Sequence, residues 1–147
     1  MKKIEIEVLE KMREYLINCK NNYSESVSLA QIQFSDTYNK INDLYYLADE
    51  FIFFYNTNQN LKNETEIDFL ESLINKGTCY PGVFEKLAKI YSKNKKFTEA
   101  HAVCVKWFNG EFWKIPNMAT TSLRLLDRFE SLEKKYLKLN RALKPLI

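Results

Sequence analysis

Glycine and proline are scarce in this chain of 147 residues, three of each. A sandwich or barrel draws on both at every turn, so an all-β architecture is excluded. Histidine occurs once, at His101. That removes every metal site needing a pair of imidazoles and makes any Ser-His or Cys-His catalytic arrangement depend on one side chain. Cysteine occurs three times, at Cys19, Cys79 and Cys104. An odd number at wide spacing fits reduced thiols in a cytoplasmic setting and not a disulfide framework. No glycine-rich phosphate loop, no G-x-S-x-G and no H-E-x-x-H is present, so neither an enzyme nor a cofactor-binding protein is expected. Long apolar runs are missing too. The longest, Phe51 to Tyr55, falls far short of the ~18 residues of a membrane span. Met1-Lys2-Lys3 leads straight into alternating acidic and apolar residues, which is not the pattern of a secretion signal.

What the chain does contain is apolar residues at helical spacing. Hydrophobic residues make up 46% and charged residues 28%, a balance that lets one domain over 1–147 bury one core. Residues 2–20 place Ile4, Val8, Met12, Tyr15, Leu16 and Cys19 on one stripe, with Glu10, Arg13 and Glu14 toward water. Asn18 to Ser24 reads as a turn, with Ser24 able to cap the next helix. From there Val27, Phe34, Ile41, Ala48 and Tyr55 recur every seventh residue, which predicts one long helix from about 24 to 56. Ser35-Asp36 offers a break into two helices, and the alternation around Val27 to Phe34 would also suit a strand, though no second strand is available to pair with it. A loop at 56–60 and a helix over 64–75 follow, the latter ending at Gly77.

Residues 81–108 form the clearest unit. Phe84, Leu87, Ala88 and Tyr91 fall on one helical face, and Phe97, Ala100 and Cys104 resume the spacing after Asn94-Lys95-Lys96. This spacing predicts two antiparallel helices, with Ala88 and Ala100 where the pair approaches closely. The pattern Phe84-x-x-Leu87-Ala88-x-x-Tyr91 followed by Phe97-x-x-Ala100 resembles one tetratricopeptide-type repeat. Lys95 stands where that family usually has Gly, and Trp107 where it has a small residue. Leu44-x-x-Leu47-Ala48-x-x-Phe51 repeats the first half of the pattern forty residues earlier. The resemblance implies an all-α array of helical hairpins, five to six helices in a right-handed superhelix, closed by a capping helix over 119–143. It also implies a non-catalytic adaptor that binds a protein or peptide on its concave side, lined by the first helix of each hairpin. Tyr45, Asp49, Lys86 and Lys89 are the candidates there.

Charge is distributed unevenly. Residues 1–80 hold eight Lys/Arg against thirteen Asp/Glu, a net of −5, whereas residues 81–147 hold fourteen against six, a net of +8. Arg124, Arg128, Lys135 and Lys138 recur near one face of the final helix, with Lys93, Lys95 and Lys96 close by in sequence. Three readings fit. The surface tracks the phosphates of a nucleic acid; its cations pair with Asp127, Glu130 and Glu133 on the same helix; or the halves attract each other, within the fold or head-to-tail in a homo-oligomer. An acidic partner suits the basic hairpin. His101 and Cys104 lie three apart, but two ligands make a poor metal site; Asp68 and Glu71, also three apart, have the spacing of an acid–base pair or a divalent-ion site, which a solvated helix face produces as readily. Trp107, Phe108, Phe112 and Trp113 are expected to plug the core, with an interface anchor as the alternative.

Overall fold

The computed structural model describes the backbone of residues 2–136 and the side chains of residues 7–136. Among them the chain is helical and contains no strand. Eight helical segments run α1 (Lys2–Asn21), α2 (Tyr23–Gln33), α3 (Ser35–Leu44), α4 (Tyr46–Thr57), α5 (Asn63–Asn75), α6 (Pro81–Lys93), α7 (Phe97–Asn109) and α8 (Ala119–Tyr136). Two short 3-10 turns, Phe112–Lys114 and Pro116–Met118, link α7 to α8. Tyr45 keeps helical dihedrals (φ −61°, ψ −28°), so α3 and α4 form one bent rod and the described helices number seven. That exceeds the five to six expected.

The surplus comes from residues 24–56. The heptad pattern predicts one helix, but the backbone breaks at Phe34 (φ −123°, ψ 39°) and bends at Tyr45. Ser35-Asp36 marked the first break correctly, though no side chain caps it. The break lets α2 lie against α1 and the Pro116–Met118 turn, while α3 swings away. It also points the buried Thr37 at Glu111, its Oγ1 donating to Oε2 at 3.3 Å. A heptad repeat is blind to such a bend, because both arms keep their apolar stripes. The Ser24 cap is likewise corrected: α2 begins at Tyr23 after Asn22, with no side-chain cap.

Among the described residues, helices α6 and α7 make the most extensive pairing. Leu87, Ala88, Ala100 and Cys104 are fully enclosed between them and their neighbours. The two alanines allow close approach, while the Phe84 and Trp107 rings, 4.9 Å apart, fill the space beside them. Helix α7 is covered on one side by α6 and on the other by α8. Trp107 and Phe108 are accordingly buried, and the Trp107 indole N–H donates to Ser122 Oγ at 2.9 Å. Trp113 is buried as well, its ring edge-on to Tyr15 at 5.8 Å. The aromatic cluster is core, so no interface anchor is found there.

The first helix returns to the last. Helix α1 packs along α8, burying Leu9, Met12, Leu16 and Cys19. The Tyr15 hydroxyl donates to the Lys114 carbonyl. Arg13, expected to face water, instead reaches across to Asp127 at 2.7 Å and to Glu130. Contacts between elements this far apart in sequence leave no periodic trace.

The α5 and α6 ends share one device. Gly77 takes φ +91° after α5, with Thr78 N–H bonded to the Leu73 carbonyl and Gly77 N–H to that of Ile74. After α6, Lys95 takes φ +60°, with Lys96 N–H bonded to the Tyr91 carbonyl and Lys95 N–H to that of Ser92. The turn therefore demands the left-handed geometry that glycine adopts freely and a lysine Cβ resists. Lys95→Gly is expected to raise stability by about 1 kcal/mol in urea denaturation; a destabilised variant would show that Lys95 is held there by contacts outweighing its strain.

Candidate functional site

Two surfaces stand out, one apolar and acidic, the other basic. The first follows the bent α3–α4 rod. Leu47 and Ala48 are buried beneath it, with Leu44, Phe51 and Tyr55 half-buried. Phe51 leans on Tyr80 at 5.1 Å and Phe54 stacks on Phe69 at 3.7 Å. These contacts fix which side faces out. Tyr45, Tyr46, Asp49, Ile52 and Phe53 fall at positions i, i+1, i+4, i+7 and i+8, on one helical face. All five are exposed, Phe53 to 69%. A stripe of four large apolar side chains at helical spacing is more than the scattered exposure ordinary surfaces show. Asp43 and Asp49 are exposed beside it, and neither has an ion-pair partner among the described residues.

The four residues expected on a concave face divide. Tyr45 and Asp49 share this stripe. Lys86 does not, because its ammonium sits 4.4 Å over the Tyr55 ring and 3.9 Å from Glu66. Glu66 in turn accepts from the Tyr55 hydroxyl at 2.6 Å; burial, helped by that bond, pushes the Tyr55 pKa well up. Lys86 is thus a strut between α4, α5 and α6. Lys89 is exposed on α6. Of the stripe the sequence pointed to Tyr45 and Asp49; Tyr46, Ile52 and Phe53 lie outside the heptad positions and were missed.

The second surface is a groove of about 660 Å3 where the end of α6 and the Lys95 turn meet α8. Lys93, Lys95, Arg124, Arg128 and Lys135 line it, with Asp127, Ser92 and Ser131 between them and the Phe97–Tyr136 pair at one end. Cations 29 to 42 positions apart in sequence are thereby brought together. Lys138 lies outside the described residues, as does the part of the expected capping helix beyond Tyr136. Among the described residues, the expected pairing of Arg124 with acids on its own helix is not what forms. Arg124 is held from α6, donating to Glu85 at 2.6 and 3.1 Å. Asp127 and Glu130 are taken by Arg13 of α1, and Glu133 by His101 at 3.1 Å.

The remaining candidates are structural. His101 is buried, stacked on Phe129 at 4.7 Å and bonded to Glu133. Cys104 lies near it in the core, where burial pushes its thiol up to about 12, away from nucleophilic thiolate. Burial likewise raises Cys19 and Cys79. Glu71 accepts from the Tyr91 hydroxyl at 2.9 Å, while Asp68 is exposed. No group of three or more metal-ligating side chains forms among the described residues, and no described helix is long and apolar enough to cross a membrane.

The Glu85–Arg124 pair has a testable sign. The hydrogen bond from Arg124 holds the Glu85 carboxyl below its ordinary value, against its partial burial. A lowered folded-state pKa contributes stability above the unfolded value of about 4.3, and that stability is lost as pH falls through the folded value. Because Arg124 is exposed, the contribution is at most about 1 kcal/mol. Arg124→Gln is expected to lower the urea midpoint at pH 6 and leave it unchanged near pH 2; an equal loss at both would show that packing, not charge, holds Arg124. Compared with known proteins, the chain matches no family model, no curated protein and no solved structure.

Proposed function

We propose that the protein is a non-catalytic adaptor, a helical module that binds another protein or peptide through the outward face of α3–α4. The observation that carries this is the exposed stripe of Tyr45, Tyr46, Ile52 and Phe53 with Asp49 at its centre. Burying about four such side chains is worth several kcal/mol against their exposure, at ~1.5–3 kcal/mol each. Aromatic residues are also the type that dominates binding hot spots. The partner that fits is an amphipathic helix or extended peptide with apolar residues flanked by Lys or Arg, which meet the unpaired Asp43 and Asp49. The acidic ligand expected from the basic hairpin does not suit this face.

The tetratricopeptide-like reading belongs here too. It is supported by the α6–α7 pairing, with its enclosed alanines, and by the contact of α6 with α8 that follows it. The docking of α1 on α8 shapes the array differently from an open stack, so the surface for partners lies on α3–α4 and not in a groove shared by successive hairpins. Three unpaired, buried cysteines support a cytoplasmic setting.

Peptide display on the immobilised protein tests the docking face, with counter-selection against Ile52→Glu/Phe53→Glu. Both residues are exposed, so the double variant should keep its melting temperature within a few degrees. Enriched peptides are expected to combine apolar residues at helical spacing with basic ones, and to bind the variant at least tenfold more weakly. No enrichment, or peptides that bind both forms equally, would contradict the proposal. Sedimentation of wild type and variant identifies the remaining occupant, a second copy of the chain, by a concentration-dependent mass that the variant loses.

A further inference from the structure

The geometry points to a second binding site, independent of the α3–α4 face: the basic groove between the end of α6 and α8 binds single-stranded nucleic acid. The argument begins with charge balance inside the groove. Among the described residues Asp127 is the one acidic side chain lining it, and Arg13 of α1 reaches Asp127 at 2.7 Å. Arg124 is matched by Glu85. That leaves Lys93, Lys95, Lys135 and Arg128, none with an acidic partner within ion-pair distance among the described residues; Arg128 makes only a 3.4 Å contact to Ser92 Oγ. Four uncompensated cations around a recess form a locally positive field that folding alone does not require. The groove's volume falls within the ~300–1,000 Å3 of ligand-binding clefts. Ser92 and Ser131 add hydroxyls among the cations.

The aromatic end decides which polyanion fits. Phe97 and Tyr136 stack at 3.8 Å with their planes 4° apart, and Tyr136 remains 54% exposed. One face of the tyrosine is thus braced by Phe97 while the residue keeps open surface at the mouth of a positive groove. A base stacking on an aromatic ring while its phosphates follow a run of cations is how sequence-tolerant single-strand binding works. A duplex is too stiff to bend its phosphates into a short recess, with a persistence length of about 50 nm. An acidic peptide would answer the lysines but leave the tyrosine platform unused.

Fluorescence anisotropy with labelled ten-nucleotide oligo-dT and oligo-U tests this on the full chain, across a salt titration. Four phosphate contacts predict a slope of roughly −3 in log affinity against log salt for a single strand, and Lys93→Ala/Lys135→Ala should flatten it to roughly −1.4. Tyr136→Ala should weaken binding about tenfold, and Tyr136→Phe should retain it. Melting curves of each variant show that the fold is kept. Oligo-dU against oligo-U isolates the sugar: equal affinities indicate a groove that reads phosphate and base alone, and a preference for oligo-U indicates a contact to the 2′-hydroxyl. The proposal is overturned by no binding at low salt, or by a salt slope the lysine variants leave unchanged. It is also overturned if duplex and inorganic polyphosphate compete as well as oligo-dT while Tyr136→Ala is silent, since the groove would then be a general polyanion surface.

Discussion

The burial of α7 is the constraint on which the rest of the structure depends. One face of this helix carries Ala100 and Cys104, small enough for α6 to approach; its other end carries Trp107 and Phe108, too large to leave in water. Covering both requires partners on more than one side. Helix α6 supplies one through the hairpin, and α8 supplies another with Leu125, Leu126 and Phe129. Once α8 is fixed, its far side needs cover, and α1 returns to provide it. Even the polar contacts at this centre serve that geometry. The Trp107 indole N–H and the Ser122 hydroxyl satisfy each other, where either alone would leave a buried polar group at a cost of about 1–3 kcal/mol.

The functional surfaces are what remains after that packing. Helix α4 packs through aromatic rings on α5 and on Tyr80, just ahead of α6, and on one side only. Its outward residues are apolar without being needed inside, which separates them from an ordinary solvated face. The basic groove arises differently. The tight turn after α6 sets Lys93 and Lys95 opposite Arg128 and Lys135 of α8, while the acids that might have neutralised that face are drawn away by Arg13 and His101. Partner choice among the charges therefore decides where positive potential survives.

Much of this was legible in the sequence, and the part that was not has a physical reason. The α6–α7 hairpin, the α5 helix ending at Gly77 and the burial of the Trp107–Trp113 cluster follow from spacing and local turn chemistry, which act over fewer than ten residues. The bend at Tyr45 was hidden because a bent rod keeps its inward stripe, whereas Ser35-Asp36 signalled the break at Phe34 as the alternative to one long helix. Tyr46, Ile52 and Phe53 fall outside the heptad positions, and spacing alone does not show that the face they share is left uncovered. Arg13 was misplaced, and the α6 partner of Arg124 was missed, because charged side chains choose partners through the tertiary fold: α1 against α8 for the first, α6 against α8 for the second. Lys95 was visible as a departure from glycine, but the strain it carries emerged only with its backbone angle.

Native-state hydrogen exchange tests the central claim most directly, because it orders helices by the opening each requires. If α7 is the element around which the others close, the amides from Ala100 to Phe108 exchange only through global unfolding, with denaturant dependence equal to that of the whole protein. Those of α4 exchange earlier, through local opening. Protection along α7 no greater than along α4 would contradict the account.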